Sequence, residues 1–388
     1  MGEPTLSAPD IRPDTQAQAH QSANQDARVA GQVLVLFAFD IGFQVDLESA
    51  SRAAQEVERL QAVRARRPAP VWFDYSPAPL RIRDAGASVD VAATRAEPDV
   101  DILLYDFGAV LLTYRLPLPG RLEELPALSA RLSADRALEA DARTRVARLM
   151  STIGPAIQRP RLHPAVEDYI VFTVTSWDES QTPSSLIEHH ADVIARTIEG
   201  ETGELAPEQR DRILAGRIAY APTDAAVIDW NAAVLLDREP GDVLAVLQHA
   251  NVELLELRVL DDELDSILDH ADETLAAIIG RRFWPALGSG RMLARFAGVQ
   301  TDAAVLFEGV NNAIKLVGNQ YLARLYRLAA QRLDLPAWQT SVQRKLDAAD
   351  NLYEKMEGTT SVRRLETLEW VIIILIALSI VLMFFPLY

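Results

Sequence analysis

The stretch "QVLVLFAF" at positions 32–39 decides the fold, because seven apolar residues follow Gln32 without interruption. Its β-branched and aromatic residues favour a strand. A membrane-spanning helix would need about 20 apolar residues, so this run is too short to cross a bilayer. The size of the run is typical of a buried strand. We therefore predict a buried strand over Val33–Phe39.

The segments on either side of "QVLVLFAF" predict an α+β domain over residues 29–240. The stretch "DLESASRAAQEVERLQAVRARR" predicts a helix at 46–67, with Asp46 as its N-cap. "PVWFDYS" and "VDILLYDFGAVLLTYRLPLPG" predict strands, and residues 121–149 read as largely helical. A second round of strand, helix, two strands and helix begins at "EDYIVFTVTSW". We interpret the two rounds as a duplicated strand-helix-strand-strand-helix unit that forms one antiparallel or mixed sheet covered by helices.

Residues 241–364 predict a long helical hairpin or coiled-coil region. Apolar residues recur there at heptad spacing, which is typical of a helix that packs along a seam. These residues are Leu257, Leu260, Leu264, Ile267, Ala271 and Ile278. An antiparallel hairpin or a helical dimer interface would bury such a seam, and we therefore expect a homo-oligomer.

The carboxyl end predicts a transmembrane anchor over residues 365–388. "VIIILIALSIVLMFFPLY" carries no charge and would span roughly 27 Å as a helix. Arg363 and Arg364 precede it and Trp370 lies at its boundary, which by the positive-inside rule keeps the body in the cytoplasm. Residues 1–28 resemble neither a signal peptide nor a transit peptide and predict a disordered tail. The expected location is thus the bacterial inner membrane, with the bilayer as a partner and the C-terminus on the far side.

Composition and motifs argue against catalysis. A net charge of −17 disfavours nucleic acids and anionic lipids as bulk partners. The absence of cysteine excludes disulfides, thiolate metal sites and cysteine nucleophiles. No HExxH, P-loop, dinucleotide-binding or GxSxG motif is present. We expect no catalytic residues, no cofactor and no metal.

An acidic stretch from Asp261 to Glu273 leaves one alternative open. Asp261, Asp265 and Asp269 share one face of a helix, and their oxygens would suit a hard cation. A solvated acidic face predicts the same residues, and we favour that interpretation.

The loop "GRRFWPALGSGRMLARF" combines arginines and aromatic residues in an acidic chain. Such a loop can bind RNA by phosphate contact and stacking, touch a membrane surface, or pack a hairpin tip onto the acidic helix. We favour the packing role. The candidate interaction residues are Arg281, Arg282, Phe283, Trp284, Arg291 and Arg295.

Four stretches together resemble the YagE family, also called the "required for meiotic nuclear division" family. They are "FDIGFQVDLES", "LLYDFGAVLLTY", "NVELLELRVLDDELDSILD" and "RLETLEWVIIILIALSIVL". The resemblance implies a domain of unknown function with a single C-terminal span and a cytoplasmic or matrix body. Mitochondrial members are linked to organelle translation, and the resemblance implies no catalytic residues.

These observations favour a membrane-anchored, non-enzymatic scaffold that self-associates through its helical region and presents its body to a cytoplasmic protein. One alternative is a nucleotide- or metal-binding regulator or enzyme with its site in the α+β domain. Another is the tethering of RNA or ribosomes to the membrane through the loop at 281–296.

Overall fold

The computed structural model describes residues 27–54, 57–59, 77–280, 320–352, 354 and 372–376. The strands are β1 (Ala30–Asp40), β2 (Gln44–Val45), β3 (Val57–Arg59), β4 (Leu80–Ala85), β5 (Asp90–Val91), β6 (Thr94–Arg95), β7 (Asp99–Leu104), β8 (Ala109–Pro117), β9 (Ile157–Gln158), β10 (Glu167–Ser176), β11 (Arg217–Ile218), β12 (Ala225–Ile228) and β13 (Ala232–Leu236). The helices are α1 (Leu47–Ala53), α2 (Leu125–Ala134), α3 (Ala137–Ile153), α4 (Pro183–His189), α5 (Ala191–Glu199), α6 (Pro207–Leu214), α7 (Gly241–Gly280), α8 (Gln320–Arg332) and α9 (335–352).

Nine strands form one mixed sheet in the order β11-β12-β13-β10-β1-β8-β7-β4-β3. Every neighbouring pair is antiparallel except β10 and β13, which are parallel. The predicted α+β class with a large mixed sheet is therefore confirmed. The order of strands outward from the centre is similar in the two halves, but β8 is antiparallel to β1 while β13 is parallel to β10. The two rounds of the sequence thus differ in strand direction.

Strand β1 lies near the middle of this sheet and has apolar side chains on both faces. Val33, Val35 and Phe37 belong to one core. Leu34 and Leu36 belong to the other. Alternate residues of a strand point to opposite faces, so a strand covered on both sides is apolar throughout. The prediction of a buried strand from "QVLVLFAF" is confirmed.

The two cores are covered by different helices. The first face of the sheet packs against α1 to α6. The second face packs against α7, α8 and α9. Helix α7 contacts β1, β10 and β8 directly, so it lies across the middle of the second face. Its first half therefore belongs to the same packed body as the sheet.

The predicted heptad seam of α7 is buried within the chain. Leu257, Leu260 and Leu264 are fully covered and belong to the second core. Ala271 and Ile278 have side chains outside the described residues. Since the first part of the seam packs against the chain's own sheet and helices, these three leucines are not available to a partner. Self-association through the remaining helical surface stays a prediction.

The predicted helix at 46–67 is wrong in its length. Asp46 does cap the helix, because its side chain accepts hydrogen bonds from the backbone N–H groups of Glu48 and Ser49. The helix ends at Ala53, since Ala54 is extended, and residues 57–59 form a strand that pairs with β4. Pairing at the edge of the sheet outweighs the helical propensity of this stretch.

Within the described residues, no helix combines the length and the hydrophobicity that crossing a bilayer requires. Of the predicted span, the structure describes residues 372–376, which are helical. This finding corrects the predicted transmembrane anchor and the inner-membrane location derived from it. Residues 365–371 and 377–388 of the predicted anchor lie outside the described part of the chain.

Candidate functional site

A cleft of about 710 Å³ lies on the second face of the sheet, beside the beginning of helix α7. Residues of β1, β4, β7, β8 and β10 form its floor, and the first turns of α7 form one wall. The polar lining consists of Gln32, Arg81, Asp101, Thr113, Arg115, Thr173, Thr175 and Gln248. The remaining lining is mostly apolar and includes Leu34, Leu103, Leu244 and Ala245.

The polar residues meet because of how the strands run. On β1, Gln32 shares a face with Leu34 and precedes it, so the polar residue lies at the start of the strand. On the antiparallel neighbour β8, Thr113 and Arg115 come after the apolar part of the same face. Starts and ends of antiparallel neighbours lie at the same edge of a sheet. The end of this face at the start of β1 is therefore polar, while the middle of the face is apolar and covered.

Asp101 is the central charged group of the cleft, with a side chain that is only 8% exposed. Its Oδ2 atom accepts a hydrogen bond from Nη2 of Arg81 at 2.6 Å and another from Nη2 of Arg115. Burial acts to raise the pKa of Asp101, but the hydrogen bonds and charges of the two arginines outweigh it and hold the pKa below its ordinary value. Asp101 is therefore ionised at neutral pH.

The first turn of α7 forms the opposite wall. The N–H group of Leu244 donates to the carbonyl of Pro240 at 2.9 Å, and both Pro240 and Gly241 line the cleft. Gln248 fixes the helix to the sheet, because its Nε2 donates to Oγ1 of Thr113 at 3.2 Å. The N-terminus of a helix carries a partial positive charge and N–H groups without an intrahelical acceptor.

A second polar cluster lies at the far end of β1. Asp40 ends that strand, and Glu256 and Glu263 face it from α7. Burial, followed by the charge of Glu263, raises the pKa of Asp40 to about 7, although Arg161 acts in the opposite direction. Burial and the charges of Asp40 and Glu263 raise the pKa of Glu256 well above its ordinary range. Arg161 forms an ion pair with Glu263 and also acts on Asp40, so one arginine serves two of these three carboxyl groups.

The neighbouring strand β10 begins with another buried carboxyl group. Glu167 forms an ion pair with Arg258 of α7, and its carbonyl accepts a hydrogen bond from Asn251 at 3.5 Å. Burial nevertheless raises the pKa of Glu167 to about 7, against the effect of Arg258. This group joins α7 to the sheet.

Helices α7, α8 and α9 meet around a third buried group, Glu253. Tyr326 donates to its Oε2 at 2.5 Å and Gln339 donates to its Oε1 at 3.0 Å. Burial raises the pKa of Glu253 to about 7, although both hydrogen bonds lower it. The Nε2 atom of His249 lies 3.7 Å from Oε2 of Glu253, and burial lowers the pKa of His249 to about 3. This network joins three helices and is structural.

The acidic stretch of α7 is partly neutralised by the chain itself. The Nζ atom of Lys345 lies 2.8 Å from Oδ1 of Asp261 and 2.6 Å from Oδ1 of Asp265. Ser341 also donates to Asp261, whereas Asp269 is exposed. In the described part of the chain, no three histidine, aspartate or glutamate side chains lie close enough together to hold a metal ion.

The structure does not describe the interaction and topology residues that the sequence singled out. The candidate interaction loop and its residues Arg281, Arg282, Phe283, Trp284, Arg291 and Arg295 lie outside the described residues, as do Arg363, Arg364 and Trp370. The cleft residues were missed. The signal for them was the presence of Asp101 and Arg115 inside two mostly apolar strands, since a charge there needs a specific reason.

Comparison with known proteins gives two matches. The profile of the family described as "Uncharacterized protein MJ0711, N-terminal domain" matches residues 30–242, more than half of the chain. The uncharacterized protein MJ0711 of Methanocaldococcus jannaschii is 22% identical over 216 residues, which cover 54% of this chain and 65% of that protein. The chain thus matches slightly less than two thirds of the length of this relative. No solved structure matches.

The family match corrects the resemblance derived from the sequence. The profile that matches is that of the MJ0711 N-terminal domain, so the assignment to the YagE family is wrong. The quoted stretches "NVELLELRVLDDELDSILD" and "RLETLEWVIIILIALSIVL" lie beyond residue 242, outside the matched range. Heptad helices and apolar ends recur in unrelated proteins, which explains why these two stretches misled. The matched range contains the sheet and the strand residues that line the cleft.

Proposed function

Because the chain belongs to the family described as "Uncharacterized protein MJ0711, N-terminal domain", a description that names no activity, we propose a function from the cleft: the protein binds a small molecule between its sheet and the beginning of α7. The volume of the cleft carries this proposal. At about 710 Å³ it falls within the roughly 300–1,000 Å³ that is typical of small-molecule sites.

The lining also has the composition of a binding site. Apolar walls, formed by residues such as Leu34, Leu103 and Leu244, surround a few converging polar groups. Such walls bury the body of a ligand, while fixed donors and charges orient it. Between the cleft and the carboxyl groups at Asp40 and Glu167, the strands on this face carry apolar residues packed under helices. The change from apolar to polar residues along single strands therefore supports a purpose other than core packing.

Binding is favoured over catalysis by the chemistry of the lining. The hydroxyl groups of Thr173 and Thr175 donate to the backbone carbonyls of Gln32 and Ala30. Among the described residues, no histidine lines the cleft and no hydroxyl is paired there with a base. The proposed role is therefore ligand binding, which is related to the nucleotide- or metal-binding regulator or enzyme that the sequence left open as an alternative to the scaffold.

The test is a ligand screen in which the cleft is blocked. Ala245 lies on α7 and faces the open cleft, so Ala245→Phe fills ligand space. Ala140→Phe, at an exposed position of helix α3, is the matched control. The full-length wild-type protein and both variants are screened by thermal shift against a metabolite library. A ligand present at 100 times its Kd stabilises the folded state by about 2.7 kcal/mol, which raises Tm measurably.

The expected result is at least one compound that stabilises the wild type and the Ala140→Phe control but not Ala245→Phe. A library that stabilises none of the three proteins would contradict the proposal. Equal stabilisation of both variants would also contradict it, because the ligand would then bind outside the cleft. Self-association and binding to a protein partner stay predictions beside this proposal. Light scattering on the full chain tests self-association.

A further inference from the structure

The charges that line the cleft do not balance. Arg81 and Arg115 both bond to one oxygen of one carboxylate, that of Asp101. A guanidinium has five N–H donors, and within the described residues each of these two arginines is seen to donate only to Asp101. The carboxylate of Glu97 accepts from Gln32 at the rim, where it is exposed and screened by water. Inside the cleft the arginines leave one excess positive charge.

The beginning of α7 adds to this positive potential. Pro240 and Gly241 line the same cleft, and the helix that starts there is 40 residues long. Helix N-termini bind anions through their first N–H groups and their dipole. Asp242 lies in the first turn but is not one of the lining residues, so it offsets the dipole only in part. Two independent sources of positive potential thus face the same space.

Asp101 indicates a second chemical group on the ligand, a hydrogen-bond donor. Its Oδ1 atom is buried and has no hydrogen-bond partner among the described residues, whereas Oδ2 accepts from both arginines. A buried carboxylate oxygen without a donor is costly. Asp101 lines the cleft, and we take its unpaired oxygen as the acceptor for a donor group of the ligand. Thr113 also lines the cleft: its oxygen accepts from Gln248, and among the described residues its hydroxyl proton has no acceptor.

We infer that the ligand carries both an anionic group, such as a phosphate or a carboxylate, and a hydroxyl group; this inference rests on the proposed binding function. The anionic group binds to the arginines and the N-terminus of α7. The hydroxyl group donates to Oδ1 of Asp101. Phosphorylated sugars and hydroxy acids belong to this chemical class.

Three probe compounds test the anionic group and the hydroxyl group of the ligand separately. Ribose 5-phosphate carries both groups, ribose lacks the anion, and inorganic phosphate lacks the sugar hydroxyls. We expect ribose 5-phosphate to bind the full-length protein at least tenfold more tightly than either of the other two, as measured by titration calorimetry. Arg115→Gln should weaken the binding of ribose 5-phosphate about tenfold, and Arg115→Lys should recover part of it because it keeps the charge.

Asp101→Ala gives a readout that a merely structural role would not produce. It removes the competing carboxylate, so inorganic phosphate should bind more tightly, while the advantage of ribose 5-phosphate over phosphate should shrink. Arg210→Gln, on α6 at the opposite face of the sheet, is the control for loss of an arginine and should leave all affinities unchanged. If Arg115→Gln proves misfolded by circular dichroism, Arg81→Gln replaces it, because Arg81 is the more exposed of the pair.

The outcomes distinguish this inference from the function on which it rests. If ribose binds as tightly as ribose 5-phosphate, or if Arg115→Gln behaves like Arg210→Gln, the ligand class is wrong while the cleft remains a binding site. If none of the three probes binds, the inference is overturned, and the thermal-shift screen with Ala245→Phe still decides whether the cleft binds another class of ligand.

Discussion

Replacing Asp40 with asparagine is expected to change how the free energy of unfolding depends on pH. Asp40 is 5% exposed, and its pKa is raised from 3.8 to about 7, first by burial and then by the charge of Glu263. A carboxyl group whose pKa is higher in the folded state stabilises folding below the unfolded-state pKa. This stability is lost as the pH rises from 3.8 to about 7.

The magnitude follows from the size of the shift. One pKa unit corresponds to about 1.4 kcal/mol, so a rise from 3.8 to about 7 makes the ionised Asp40 cost at most about 4 kcal/mol above neutral pH. Asparagine has the same size and cannot ionise. The difference in free energy of unfolding, variant minus wild type, should rise by about 1.4 kcal/mol per pH unit and level off near the folded-state pKa. Loss of the Asp40 charge also lowers the pKa of Glu256, which acts in the same direction.

The assay is urea unfolding of the full chain followed by circular dichroism, at pH values from about 5.5 to about 8.5 and constant ionic strength. Asp211→Asn removes an exposed carboxylate on α6 and serves as the matched control for the change from aspartate to asparagine. Parallel pH curves for Asp40→Asn and the wild type would refute the reasoning, since they would show that Asp40 ionises as easily in the folded as in the unfolded protein.

Three further predictions concern packing and buried charges. Arg145→Met should lower the free energy of unfolding in urea by about 3 kcal/mol, because this guanidinium is 4% exposed and pairs with Asp84 and Asp141 at 2.6 Å. The control Arg52→Met removes an exposed ion pair and should cost less than about 1 kcal/mol. Gly108→Ala should lower the free energy of unfolding by more than about 2 kcal/mol or prevent folding, because φ is +98° and an added Cβ would lie 1.8 Å from the carbonyl oxygen of Gly42. In the control Gly120→Ala the added Cβ meets nothing within 4 Å, so stability should hardly change. The imidazole of His249 should stay neutral in ¹⁵N NMR spectra from pH 8 until acid unfolds the chain, because burial lowers its pKa from 6.5 to about 3; a protonated ring in the folded state near pH 5 would contradict this.

The sequence predicted those structural elements that are determined by residues close together in the chain. The run from Val33 to Phe39 had to be a strand buried on both faces, and Asp46 had to cap a helix, because each signal lies within a few residues. The end of that helix at Ala53 was not predicted, since it depends on the pairing of residues 57–59 with β4, which lies more than twenty positions further along the chain. Edge pairing is a tertiary effect that helical propensity does not contain.

The cleft could not be predicted from the sequence for a related reason. Arg81, Asp101 and Arg115 belong to three different strands, and they meet because β4, β7 and β8 are consecutive neighbours in the sheet. No spacing rule along the chain encodes that order. The individual anomaly, a charge within an apolar strand, was visible at Asp101 and Arg115. This anomaly would have identified Asp101 and Arg115 as unusual, but it would not have shown that they meet Arg81.

The positions of the two charged regions follow from how α7 covers the sheet. Strand β1 carries Gln32 in the cleft at its start and Asp40 in the carboxyl cluster at its end, about 26 Å apart at 3.3 Å per residue. Leu34, Leu36 and Ala38 lie between them under α7 and leave no room for charge. Polar groups on this face are therefore confined to the two ends of the helix contact. Because the ends are separated by packed apolar side chains and share no hydrogen-bonding partner among the described residues, a ligand in the cleft and a proton at Asp40 are expected to act on stability independently.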